Sequence, residues 1–186
     1  FDAVSTMGDI SLSSYKGKWI VFFSHPNDFS PICTTEIIGL AKADTYFKKI
    51  NTELIGISVD SLNSHLAWLY DIYLKTGLIV NFPIIADQNG VIARKYGMIS
   101  NDVSSTETVR NIFIIDDKGI IRSIFVYPMN IGRYIPEILR TVTALQYSDQ
   151  NNCMTPANWS PGNPMIVPPP KTFNALRERN ESINKN

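Results

Sequence analysis

One cysteine in this chain of 186 residues stands where its chemistry can be read directly. Cys33 closes the stretch Pro26-Asn27-Asp28-Phe29-Ser30-Pro31-Ile32-Cys33. Ser30 suits the N-cap of a helix, and Pro31 suits its first helical position. Cys33 then falls in the first turn, at the positive end of the helix dipole, where a thiolate is favoured over a thiol. The thiolate is the nucleophilic form. The competing reading is a buried cysteine that fills space. Ser30 lies one turn before the sulfur, and its hydroxyl can both accept and donate. His25 can titrate near neutral pH, or pack as a hydrogen-bonded ring at a strand end. Glu36, one turn after Cys33, can orient an arginine or stand in solvent. The two histidines, His25 and His65, have no companion set of ligands in the sequence, so no metal is expected.

The elements that would position these groups alternate. Trp19–Ser24 is a short apolar run of the kind that makes a buried strand, and a helix follows from about Pro31 to Ile50. Glu53–Asp60 is a second strand, with Asp60 or Ser61 capping a helix through about Lys75. Asn81–Asp87 is a third extended run, with Pro83 placing it at an edge or a beginning. Gly90–Tyr96 makes a short helix stopped by Gly97. Arg110–Asp116 and Ile120–Tyr127 are strands joined by Asp116-Asp117-Lys118-Gly119, a hairpin signal. Asn130 is expected to cap a last helix through about Tyr147. This order implies an α/β fold, a central mixed sheet flanked by helices, compatible with a thioredoxin-like architecture. Six of the eleven prolines lie beyond Tyr147, so residues 1–147 are expected to form the domain and 148–186 a proline-rich C-terminal arm. Trp159, Met165, Ile166 and Val167 in that arm need burial, which points to packing on a second copy in a homodimer or larger homo-oligomer.

The segment from His25 to Glu36 resembles the peroxidatic motif of peroxiredoxins, Pro-x-x-x-(Thr/Ser)-x-x-Cys, with Pro26, Ser30 and Cys33 in the three places. Threonine is the family's commoner residue at the middle place, and serine keeps its hydroxyl. The histidine before the proline, Thr-Pro-Ala-Asn-Trp at 155–159 and Ile-Val-Pro-Pro-Pro at 166–170 are similar to the one-cysteine subgroup. The resemblance implies a thiol-dependent peroxidase that reduces hydrogen peroxide and small organic hydroperoxides through a sulfenic acid at Cys33. It implies that Pro26 covers the sulfur, that Ser30 binds the peroxide, and that Arg110 contacts thiolate and peroxide. Without the family, Arg110 is a strand-edge arginine. Arg133 resembles a second active-site arginine that binds substrate. It is expected to open a helix, where the dipole disfavours a cation. His25 and Glu36 would support the site, and His65 with Trp68 resembles a His-x-x-Trp pattern that packs near it. Cys153 stands in the one-cysteine context and is expected not to be an obligatory resolving cysteine. An external thiol, glutathione, a thioredoxin-like protein or another, would then be the reductant, with no cofactor.

Composition narrows the partners. Acidic and basic residues number 17 each, which advertises neither a nucleic-acid nor an anionic-membrane face. Apolar stretches are far shorter than a membrane span. Two cysteines do not make a secreted disulfide scaffold, and a cytoplasmic location is expected. Dithiol–disulfide exchange is disfavoured because Ser30 and Glu36 occupy the places of a Cys-x-x-Cys partner on either side of Cys33. A redox sensor or holdase that uses Cys33 as a switch remains a separate class, distinguished by turnover. The hydrolase pattern Gly-x-Ser-x-Gly is absent, so no lipase activity is expected.

Overall fold

A computed structural model describes residues 1–183 of the chain. Seven strands form one mixed sheet: β1 (Asp2–Ser5), β2 (Gly8–Ser11), β3 (Trp19–Ser24), β4 (Thr52–Ser58), β5 (Ile84–Ala86), β6 (Arg110–Ile115) and β7 (Ile121–Tyr127), in the spatial order β2-β1-β5-β4-β3-β6-β7. The helices are α1 (Pro31–Lys49), α2 (Leu62–Thr76), α3 (Val91–Lys95), α4 (Ile135–Asn151) and α5 (Phe173–Ile183). Strands β3, β4 and β5 run parallel, because α1 and α2 carry the chain back between them. The hairpin β6–β7 adds antiparallel to β3.

Every residue of β3 and of β6 is buried, which is why Trp19–Phe23 and Ile112–Ile115 read as unbroken apolar runs rather than alternating ones. On one side of the sheet Phe22, Ile55, Ile57, Ile85, Met98 and Phe113 share a core. Tyr96 closes it edge-on to Phe22 and Phe113 at centroid distances of 5.0 and 5.5 Å. Gly56 stands beside Phe23 across the β3–β4 ladder, and a Cβ there would lie 3.0 Å from the Phe23 ring. The close approach of β4 to that ring requires glycine.

The expected strands and the first three helices form, with ends moved by one to three residues. Three features depart from expectation. Hairpin β1–β2 carries too few strongly apolar residues to announce itself. The last long helix begins at Ile135 and not at Asn130, because residues 128–134 are held in turns, and Pro136 rather than Asn130 marks the true first turn. Helix α5 lies beyond the proline-rich stretch, where no helix was expected.

The chain divides into two compact units, Phe1–Leu139 and Arg140–Asn186, with the division inside α4. In the second unit Met154 and Ile166 form an antiparallel bridge. Trp159 is buried, its ring 5.9 Å from that of Tyr147, with its indole N–H donating to Asn163 and its carbonyl accepting from Arg140. That ring needs no second chain to cover it, whereas Ile166 and Val167 stay exposed. Among the described residues no helix is long and apolar enough to cross a membrane.

Candidate active site

Ser30 is the N-cap of α1 and Pro31 its first residue, so Cys33 occupies the third helical position. The Ser30 hydroxyl accepts from the Cys33 amide (3.4 Å) and donates to its Sγ (3.2 Å). One side chain thereby ends the helix and touches the sulfur. Cys33 is fully buried, and Pro26 is buried at the start of the same loop.

The second donor to the sulfur comes from the sheet. Arg110 opens β6 and directs Nη1 at Cys33 Sγ, 3.4 Å away. The same nitrogen donates to Glu36 Oε2 at 2.7 Å, and Nε donates to the carbonyl of Met129 at 2.9 Å. Glu36, one turn along α1 from Cys33, is also held by Arg133. Arg133 donates from Nε (2.9 Å), Nη2 (2.6 Å) and its backbone amide (2.9 Å) to the two carboxylate oxygens. Burial alone would raise the Glu36 pKa, but the hydrogen bonds and charge of Arg133, with the charge of Arg110, hold it below the ordinary carboxylate value. The buried set therefore counts two guanidiniums against one carboxylate, which leaves one net positive charge beside the sulfur.

Arg133 does not open a helix. It lies two residues before α4, in an irregular segment, with its guanidinium 5.3 Å from the Phe23 ring centroid. Its Nη1 donates to the carbonyls of Ser24 (2.9 Å) and Asn111 (3.3 Å), so all three guanidinium nitrogens face protein acceptors. The structure brings Cys33, Ser30, Arg110 and Glu36 together, and joins Arg133 to them through Glu36.

His25 follows β3, buried, with Nε2 donating to Asp28 Oδ1 at 2.9 Å and Nδ1 without a partner. Burial lowers its pKa, only partly countered by Asp28, so the ring is neutral near pH 7. Asp28 also accepts from His65 Nδ1 at 2.8 Å. Burial would raise the Asp28 carboxyl, but the two histidine hydrogen bonds hold it well below its usual range. No companion ligands for the histidines are evident along the sequence, yet the fold brings Asp28 and Asp60 to them, with one potential ligand atom from each of the four within 4.8 Å of one another. In this arrangement the ring nitrogens facing Asp28 already share its carboxylate, and Asp60 Oδ2 accepts from Ser58 and from the Asp28 amide. The cluster is a hydrogen-bonded network as it stands. Asp28 and Thr34 carry no evident role in the sequence alone, and Asp60 reads there only as a helix cap. Their partners lie across long loops, and only the position of Asp28 inside the motif hinted at a role.

A buried sulfur that receives hydrogen bonds from a hydroxyl and a guanidinium, at the start of a helix after an interior strand of such a sheet, defines the active centre of a thiol-dependent peroxidase. Comparison with known proteins agrees. The AhpC/TSA family matches residues 2–124, and the C-terminal domain of 1-Cys peroxiredoxin matches residues 144–182. Peroxiredoxin 2 of Caldanaerobacter subterraneus subsp. tengcongensis is 54% identical over 183 residues, spanning 98% of this chain and 83% of that protein. Peroxiredoxin 2 of Picrophilus torridus is 50% identical over 185 residues, spanning 100% and 91%. Among solved structures, yeast mitochondrial 1-Cys peroxiredoxin superposes with a TM-score of 0.87 at 41% identity, over 96% of this chain and 87% of that one. Peroxiredoxin 6 of Arenicola marina superposes with a TM-score of 0.86 at 35% identity, over 96% and 84%. This chain belongs to the peroxiredoxins, in their one-cysteine branch, and is a thiol-dependent peroxidase.

Proposed function

We propose that Cys33 is the peroxidatic nucleophile and that the reaction runs as follows. The Cys33 thiolate attacks the nearer oxygen of a hydroperoxide. An S–O bond forms, the O–O bond breaks, and the departing oxygen leaves as an alkoxide or hydroxide that takes up a proton. The sulfur, oxidised by two electrons, becomes a sulfenic acid. One external thiol then condenses with it to a mixed disulfide and water, and a second releases Cys33. Sulfur and thiols supply both electrons, so no cofactor is required.

The observation that carries this reading is the pair of donors on one sulfur, Ser30 Oγ at 3.2 Å and Arg110 Nη1 at 3.4 Å. Both are placed to bind peroxide oxygens beside the nucleophile and to stabilise charge on the leaving oxygen. Pro26 limits access. Glu36 aims Arg110, and Arg133 contributes by holding Glu36. The reductant is an external thiol. The yeast mitochondrial relative is resolved by glutathione and thioredoxin systems, and either thiol class suits a sulfur with no Cys-x-x-Cys partner. Cys153 donates its thiol to the carbonyl of Asn151, and we assign it no obligatory part. A cytoplasmic location fits a chain whose two cysteines are both free thiols.

Mass spectrometry after one equivalent of peroxide, with and without glutathione or thioredoxin, tests the scheme. The expected result is sulfenic acid on Cys33, mixed disulfide with the added thiol, and full turnover in Cys153→Ser. Peroxide turnover near the parent rate in folded Cys33→Ser would overturn the nucleophile. A stoichiometric Cys33–Cys153 disulfide, with turnover lost in Cys153→Ser, would make this a two-cysteine enzyme.

A further inference from the structure

Two side chains of α2 grip the segment that carries Cys33, one on each side of it. His65 Nδ1 lies 2.8 Å from Asp28 Oδ2, and its Nε2 lies 3.2 Å from the carbonyl of Ile85 on β5. His65 thereby stands between Asp28 and the sheet, with one ring nitrogen facing an oxygen on each side. Trp68, three residues on and on the same face of α2, donates its indole N–H to Thr34 Oγ1 at 3.1 Å. Thr34 in turn donates to the Ser30 carbonyl at 2.9 Å. Asp28 precedes the sulfur by five residues and Thr34 follows it by one. Both α2 side chains are fully buried, and the His25 ring fills the space against Trp68 at 5.1 Å between centroids.

The backbone between the two grips is strained. Phe29 has φ +59° while its side chain is largely exposed, so no packing of its own pins a left-handed conformation that bulky residues avoid. Such a conformation persists where the neighbouring structure over-determines it. Here Asp28 is fixed on one side, by His65, His25 and Asp60, and the first turn of α1 is fixed on the other through Thr34. The left-handed turn at Phe29 sets where Ser30 caps the helix, and with it where the hydroxyl and sulfur stand relative to Arg110, which belongs to a different strand.

We propose that His65 and Trp68 form a positioning clamp for the peroxide step, acting through Asp28 and Thr34 to hold Cys33 and Ser30 in register with Arg110. The assignment rests on Cys33 being the nucleophile. Releasing the clamp leaves the sulfur in place as a nucleophile but lets its donors drift, and displacement of reacting groups by about an ångström costs up to about a hundredfold in rate. Peroxide reduction needs the aligned donors. Alkylation by iodoacetamide needs only the thiolate.

The experiment compares the two rates in His65→Leu, His65→Asn and Thr34→Val, each checked for folding by its thermal melt. The asparagine amide can occupy the place of Nδ1 and restore the bond to Asp28. The clamp requires the peroxide rate of His65→Leu to fall roughly ten- to hundredfold while alkylation stays within about twofold, with His65→Asn recovering most of the loss. Peroxide and alkylation rates that fall together, or an asparagine variant no better than the leucine one, overturn it. Should His65→Leu fail to fold, the near-isosteric Thr34→Val decides by the same ratio, and an unchanged ratio there refutes the clamp. Loss of all peroxide reduction only in Cys33→Ser tests the nucleophile separately.

Discussion

Arg110 donates to the sulfur with the same nitrogen that donates to Glu36, so its charge and its aim are set by one contact. Arg110→Met removes both contacts while keeping much of the buried stem. Losing one fixed donor to a charge that develops in the transition state costs about a hundred- to a thousandfold in rate. The expected outcome is a loss of that size in peroxide reduction and a clearly smaller loss in iodoacetamide alkylation, read across pH. Equal losses would mean that Arg110 acts only by favouring the thiolate. The carboxylates and His25 give a second prediction, in stability. Asp28 and Glu36 are held below their ordinary values of 3.8 and 4.5, so their contribution is complete above those values and is lost as pH falls through the folded ones. His25 is held below its ordinary 6.5 by burial. The unfolded chain therefore protonates His25 first, and stability begins to fall below about pH 6.5. Melting temperature plotted against pH should show a shallow loss below that point and a steep one in the carboxylate range, and His25→Asn should remove the first and keep the second.

At the scale of elements, the junction of β3 and α1 does two jobs with one residue, since the Ser30 hydroxyl caps the helix and donates to the sulfur. Ser30→Ala should cost about 1 kcal/mol of stability as a lost cap, and peroxide reduction should fall well beyond what that explains. Ser30→Thr keeps cap and donor, and both stability and rate should stay near the parent. An alanine variant with parent-like turnover would restrict Ser30 to capping. This junction was legible in the sequence because its signals are local: a buried apolar run, a cap, a proline and a cysteine within fifteen residues. Strands β3, β4 and β6 were legible for the same reason. The start of α4 was not, because Arg133 is held by Glu36 from 97 residues away and keeps the preceding turns out of the helix. Nor was the joining of His65 to Asp28, 37 residues apart, since no spacing rule connects a loop carboxylate to a ring on a later helix. The resemblance points to both Arg110 and Arg133, but only the fold separates them, with Arg110 on the sulfur and Arg133 on Glu36.

At the scale of the whole molecule, the sheet ends in an open edge. Strand β7 pairs with β6 on one side and closes the strand order on the other. Ile121, Ile124 and Val126 are exposed along it, 44%, 54% and 71% accessible; the strand carries neither lysine nor proline, its one register shift lies at its start beside Ile121, and among the described residues no further strand pairs with it. An unpaired edge with exposed aliphatic side chains is suited to a second copy, whose own β7 would add antiparallel across a two-fold axis and bury both apolar rows. We therefore expect the protein to self-associate through β7. The check is sedimentation of the parent and of Ile124→Lys/Val126→Lys at micromolar concentration. Both side chains point to solvent in the single chain, so the substitutions should change the stability of one subunit by no more than about 0.5 kcal/mol each. The parent should sediment as a dimer or larger species and the double variant as a folded monomer with its helix signal intact. A monomeric parent would refute self-association, and an unchanged oligomer in the double variant would move the interface away from this edge.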